Sequence, residues 1–274
     1  MPRYFLNFIT MFNTIFNSKS KVLIGMIHLP PLLSYPSFPG MDACIKKALY
    51  DLHALEQAGF DGVLLENDND QPHTEFANQA QISSFVVIAR EVCKNASIPV
   101  GVQMMLNDWK STFAIATSVD AKFCRLDVFV DDVSSQWGEI HPDPEKIMLE
   151  KKKIAPNIAI FTDIQVKHKT MLIKKSLEQS ASEALDYGVD AVIVTGDATG
   201  QETPMEKILR VKKAFPKSIV LVGAGVNSDN IVDQLSVADG AIVGTSIKIG
   251  TCIDLEKATN LVVVAKEAGI FKVV

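Results

Sequence analysis

Eight short, mostly apolar runs recur along the chain with helix-patterned segments between them, and no other feature narrows the fold as much. They span 22–26 (VLIGM), 62–65 (GVLL), 98–102 (IPVGV), 123–128 (FCRLDV), 158–161 (IAIF), 191–194 (AVIV), 218–222 (SIVLV) and 240–243 (GAIV). Runs that are largely apolar, rather than alternating, belong to strands covered on both faces. The segment 41–58 carries Ala43, Leu49, Leu52 and Leu55 before Gly59, and 174–187 ends likewise at Gly188. Glycine just past a periodic apolar stretch is a helix stop. Strand–helix alternation eight times over predicts an α/β chain folded as a single (β/α)8 TIM barrel, residues 21–274, with a short N-terminal helical extension, residues 1–20. A doubly wound open sheet would want a Gly-rich loop after its first strand, and Gly25-Met26-Ile27-His28 is no dinucleotide fingerprint.

Composition removes several function classes. At 47% hydrophobic and 22% charged, the 274 residues have ample material for one core. A net charge of −5 excludes a binder of nucleic-acid backbones, which would carry an excess of lysine and arginine. The one dense basic run, Lys151-Lys152-Lys153 after Glu150, fits a solvated helix end. Cys44, Cys93, Cys124 and Cys252 form no CxxC or zinc spacing and read as reduced thiols of a cytoplasmic protein. Tyr4 to Phe16 is apolar with Asn and Thr interspersed, too short and too polar to span a membrane. Three readings of it stand: a helix covering one end of the domain, which is the expectation; an interfacial helix giving peripheral membrane association through residues 4–16; or an extension from an upstream start, with Met11 as the first residue.

Polar residues collect where the strands end. His28 follows the first run, Glu66, Asp68 and Asp70 the second, and Gln103 and Asn107-Asp108 the third. Arg125 and Asp127 lie within the fourth, Asp163, Gln165, Lys167 and His168 follow the fifth, and Thr195-Gly196-Asp197 the sixth. Gly223-Ala224-Gly225 and Gly244-Thr245-Ser246 follow the last two. In a barrel all these ends share one face, where active sites sit.

The two Gly-rich turns suit a phosphate group, since small residues let backbone N–H groups approach an anion. Gly223, Gly225, Gly244 and Thr245 are the candidates, with Asn107 and Thr195 as further substrate contacts; the competing reading makes the glycines tight turns and Asn227 or Ser228 a helix cap. Glu66 and Asp68 are candidates for a divalent metal such as Mg2+, or Glu66 for a general base; the competing reading is an acidic turn capping the next helix. His28 is either an acid–base group or a rim hydrogen bonder. Strand alternation puts Asp163, Gln165 and Lys167 on the interior face, Ile164 and Val166 towards the helices. Lys167 then binds phosphate, works as a base or Schiff-base amine, or forms a buried ion pair.

Six segments together resemble the BtpA/SgcQ family of phosphate-binding-type barrels: IGMIHLPPL at 24–32, GFDGVLLENDND at 59–70, DIQVKH at 163–168, AVIVTGDATG at 191–200, LVGAGV at 221–226 and ADGAIVGTSIK at 238–248. The resemblance implies a ribulose-phosphate-binding-type barrel. Photosynthetic members are named as photosystem I biogenesis factors, peripheral to the membrane, but members occur where there is no photosystem. Asp127 stands where the family pattern has Asn, and Gln103 to Leu106 depart from it as well. Two functions follow. One is an enzyme on a small phosphorylated metabolite, with His28, Glu66, Asp163 and Lys167 as its catalytic groups. The other is a non-catalytic assembly factor. A homo-oligomer is expected under either.

Overall fold

The computed structural model describes residues 8–17 and 21–269. Its core is a closed parallel barrel of β1 (Val22–His28), β2 (Gly62–Glu66), β3 (Val100–Gln103), β4 (Phe123–Leu126), β5 (Ala159–Ile164), β6 (Ala191–Val194), β7 (Val220–Val222) and β8 (Gly240–Val243). Each of the eight apolar runs supplies one strand, in chain order round the barrel, and β8 closes on β1 through Val22 to Gly25 against Gly240 to Val243. Helices α2 (Met41–Ala58), α3 (Gln79–Asn95), α4 (Trp109–Val119), α5 (Pro144–Ile154), α6 (Leu177–Tyr187), α7 (Met205–Ala214), α8 (Ile231–Val237) and α9 (Leu255–Glu267) follow the strands in turn. Gly59 and Gly188 end α2 and α6 in the left-handed conformation, at φ 93° and 98°. Lys174 to Ser176 lie outside α6, because the Ser176 hydroxyl caps the helix by accepting from the Gln179 N–H.

Alternation sorts each strand into two phases. Leu23, Val63, Cys124, Ile160 and Val192 face the helices in the outer core, while Ile24, Leu64, Phe123, Phe161 and Ile193 fill the barrel axis. Phe123 and Phe161 stack there with centroids 4.8 Å apart. Gly101 makes this possible, since a Cβ at that position would fall 2.1 Å from the Phe123 ring. A further helix, α1 (Phe8–Ile15), closes the N-terminal end. Phe12 meets Phe161 at 5.7 Å and Phe16 meets Phe123 at 5.9 Å, so both rings are buried inside the barrel rather than presented outward. Tyr4 to Asn7, the start of the apolar N-terminal stretch, lie outside the described residues. Among the described residues no helix is long and apolar enough to cross a membrane.

With the lower interior filled by rings, the next inward positions toward the strand C-termini are polar: His28, Glu66, Gln103, Arg125 and Asp163. Over them lies a small antiparallel sheet of Val133–Ser135, Gly138–Ile140 and Thr170–Met171, which joins the loops after β4 and β5.

Candidate active site

The strand ends surround a recess in two parts. The larger part, about 570 Å³, lies among His28, Glu66, Asp68, His73, Arg125, Asp127, Trp137, Lys167 and Lys169. The smaller, about 100 Å³, is lined by Gly223, Gly225, Gly244 and Thr245, and shares His28, Glu66, Arg125, Lys167 and Thr199 with the larger. His28 stands between two carboxyls: Nε2 is 3.7 Å from Glu66 and Nδ1 is 3.6 Å from Asp68. Both distances lie just beyond hydrogen-bond reach.

Beneath these groups the other charges are locked together. Arg125 donates from Nε and an Nη to both Asp163 oxygens, each at 2.8 Å. Burial raises the Asp163 carboxyl above its ordinary range, and this fork against a permanently charged guanidinium opposes the rise and engages both oxygens. Asp127 accepts from Lys169 at 3.0 Å and from the Gln103 amide at 2.7 Å. Burial pushes the Asp127 carboxyl up, but Lys169, Arg125 and these hydrogen bonds outweigh it and hold the group below the usual carboxylate range. No hydrogen bond from a described residue reaches the side chains of His28, Glu66 or the Lys167 ammonium.

Their titration follows from that isolation. Burial pushes the Glu66 carboxyl up to about 8, with Asp68 adding to the rise and Arg125 opposing it. Burial also lowers His28 well below its ordinary value, reinforced by Lys248, Lys47, Lys167 and Arg125. Burial lowers the Lys167 ammonium too, with Arg125 next in effect. At neutral pH the site therefore holds a carboxylic acid beside a neutral imidazole, a donor and an acceptor rather than an ion pair.

The Gly-rich turns have a packing role of their own. Gly225 sits at φ 68°, and a Cβ on it would fall 2.1 Å from the Gln201 carbonyl oxygen, so the loops after β6 and β7 can meet only over a bare backbone. Gly225→Ala is expected to cost about 1–3 kcal/mol. Gly40→Ala, also at positive φ but with nothing within 4 Å of its Cβ, should cost less. Equal losses in urea unfolding would show that the close approach is not what requires glycine at 225.

Of the residues singled out from the sequence, His28, Glu66, Asp68, Lys167, Gly223, Gly225, Gly244 and Thr245 line the recess. Asn107 and Thr195 do not: Asn107 Oδ1 accepts from the Val128 N–H and Thr195 Oγ1 from the Lys167 N–H, each fixing a loop backbone. Asp70 accepts from the Leu32 N–H and two side-chain amides, and Asn227 accepts from the Asp229 and Asn230 N–H groups. The interior phase expected for Gln165 is lost, because β5 ends at Ile164 and Gln165 turns at φ 48°, donating to the Lys175 carbonyl near α6. Val166 accordingly packs with Leu106 and Val128 near the mouth instead of against the helices. His168 closes the gap to the loop after β6, its Nε2 accepting from the Thr199 N–H at 2.9 Å. Lys169, His73 and Trp137 are given no role from the sequence, and Arg125 and Asp127 are named there only as polar strand-end residues, although both share the inward phase of Phe123.

Comparison with known proteins agrees with this architecture. The family model described as BtpA family matches residues 19–267. An uncharacterized protein of Archaeoglobus fulgidus is 37% identical over 247 residues, covering 90% of this chain and 99% of that one. Photosystem I biogenesis protein BtpA of Synechocystis is 30% identical, over 82% of this chain and 80% of that protein. Among solved structures, thiamine phosphate pyrophosphorylase from Pyrococcus furiosus superposes with a TM-score of 0.57 at 15% identity, covering 91% of this chain and 96% of that one. At that identity the likeness is one of fold.

Proposed function

The chain belongs to the BtpA family, and from that premise we propose that it is an enzyme performing acid–base chemistry on a small phosphorylated metabolite at the C-terminal face of the barrel. One observation carries the reading: His28, Glu66 and Lys167 converge on one recess with no hydrogen bond from a described residue, while the neighbouring Arg125, Asp127, Asp163 and Lys169 are paired. Buried polar groups are ordinarily satisfied by the protein, so groups left open at a cavity are suited to a guest. Glu66 in its acid form delivers a proton, neutral His28 accepts one, and Lys167 supplies positive charge next to the Gly-lined recess. Asp163, tied to Arg125, is a supporting group in this scheme rather than a base. The pyrophosphorylase neighbour is named for a phosphate compound, and the loops after β7 and β8 are where many barrels of this kind seat a phosphate.

A divalent cation such as Mg2+ at Glu66 and Asp68 is the alternative to proton delivery by Glu66, because binding the cation needs Glu66 as a carboxylate. Among the described residues no group of three or more His, Cys, Asp or Glu gathers to hold a metal, so further ligands would come from substrate and water. The competing reading, a non-catalytic photosystem I biogenesis factor, rests on the name of the Synechocystis relative. A pure assembly platform has no use for unpaired titratable groups inside a recess. The test is ligand-induced stabilisation across a panel of phosphorylated metabolites, with and without Mg2+. A true ligand at a hundred times its Kd should add about 2.7 kcal/mol, its dephosphorylated counterpart should add little, and Lys167→Met should reduce the gain. If no phosphorylated compound stabilises the protein under either condition, the phosphate reading fails.

A further inference from the structure

The larger part of the recess is far roomier than a phosphate group requires, and its walls differ from those of the smaller part. Trp137 stands at the turn of the hairpin Val133–Ile140, where its backbone N–H donates to the Ser135 hydroxyl and Gly138 takes φ 117°. Behind it lie Leu106, Val128, Val133, Ile140 and Val166, with Met105 packed against the same cluster. His73 meets the Trp137 ring edge-on, at 5.8 Å and 86°. Burial keeps this imidazole from charging readily, and its Nδ1 is buried with no hydrogen-bond partner among the described residues.

We propose that this compartment seats a planar nitrogen heterocycle, so that the substrate is a heteroaromatic compound carrying a phosphate. The inference rests on the proposed phosphate site and names what the rest of the molecule must be. Trp137, Met105 and Leu106 form an apolar stretch in a wall that is otherwise polar, with Asp68, Gln71, Ser135 and Gln136 among its residues. A flat heterocycle matches that division, since its faces bury area against the indole while the nitrogens on its edge meet the polar side chains. With the phosphate in the Gly-lined part and the ring against Trp137, the linking atoms fall beside His28, Glu66 and Lys167, which line both parts or their junction.

The experiment uses the full chain and follows tryptophan fluorescence during titration. The probes are the four common ribonucleoside 5′-monophosphates and pyridoxine 5′-phosphate. Ribose 5-phosphate, inorganic phosphate and the dephosphorylated parents serve as comparisons. The chain holds two tryptophans, and Trp109 is buried beside Phe113, so the signal assigned to the site is the part lost in Trp137→Phe. At least one ring-bearing phosphate should bind tenfold or more tighter than ribose 5-phosphate and quench that signal. Trp137→Ala should weaken it by about tenfold or more, the range of one stacking contact, while leaving ribose 5-phosphate unchanged. Ribose 5-phosphate binding as tightly as the best ring-bearing phosphate, or an equal loss for both in Trp137→Ala, overturns this inference and leaves the phosphate seat standing. Parents binding as tightly as their phosphates overturns the phosphate seat alone. No binding by any ring-bearing phosphate overturns the inference.

Discussion

Glu66→Gln is expected to make the protein more stable above pH 8 and to slow turnover by orders of magnitude. In water a glutamic acid loses its proton near 4.5; in the fold burial holds the Glu66 proton to about 8. Between those values the folded chain keeps a proton that the unfolded chain has released, so stability falls as pH rises through the window. It is fully retained below about 4.5 and the whole loss is present above 8. A shift of that size corresponds to about 3–5 kcal/mol, at 1.4 kcal/mol per pH unit. Glutamine imitates the protonated acid in shape and never ionises. The variant should therefore match the parent near pH 5 and exceed it by several kcal/mol near pH 9, as measured by urea unfolding at both values. Turnover on an identified substrate should drop by about 10²–10⁴-fold with ligand affinity little changed, since only the proton donor is lost. A pH-independent difference between the two proteins would overturn the burial argument. Retained turnover would overturn the role of Glu66 as the acid.

The same residue shows how far sequence reasoning reaches. Glu66 immediately follows Leu64-Leu65 and shares the inward phase of Leu64, so its place at the mouth is a matter of period two. His28 and the Gly-rich turns are legible for the same reason, being at or next to the ends of strands whose phase is fixed by apolar neighbours. Past a strand end the phase is lost. Gln165 keeps the sequence parity of Asp163, yet one residue at positive φ turns it outward. Asn107 and Thr195 are short polar residues of the type that can face a ligand or hold a backbone N–H, and nothing in their spacing separates the two outcomes. His73 and Trp137 come from loops 64 positions apart, brought together only by the way those loops fold over the mouth.

Asp163 is a different case, because its position was legible and its partner decided its meaning. An arginine within the apolar phase of β4 must find a carboxylate nearby, since a buried guanidinium left alone is prohibitive. On the adjacent strand Arg125 pairs in register with Phe161, and the next inward residue after Phe161 is Asp163. The ion pair thus follows from two inward phases on neighbouring strands, and it converts an apparent base into an anchor.

Removal of one partner exposes that role. Arg125→Met should cost about 3–5 kcal/mol, because it leaves the Asp163 carboxylate buried among rings and strands without a counter-charge. For a chain of this length that is a fall of roughly 10 °C in Tm. Adding Asp163→Leu removes the stranded charge, so the double variant should recover much of the loss despite carrying two substitutions in the barrel centre. The pair also acts on the site above it. Arg125 is the largest influence pulling the Glu66 carboxyl down against burial, so the double variant should raise the Glu66 pKa further and move the basic limb of its pH–rate profile upward. A structural anchor alone would lower stability in the single variant and leave that limb where it is. A single-variant cost below about 1 kcal/mol would mean that Asp163 is not held as a buried anion at all.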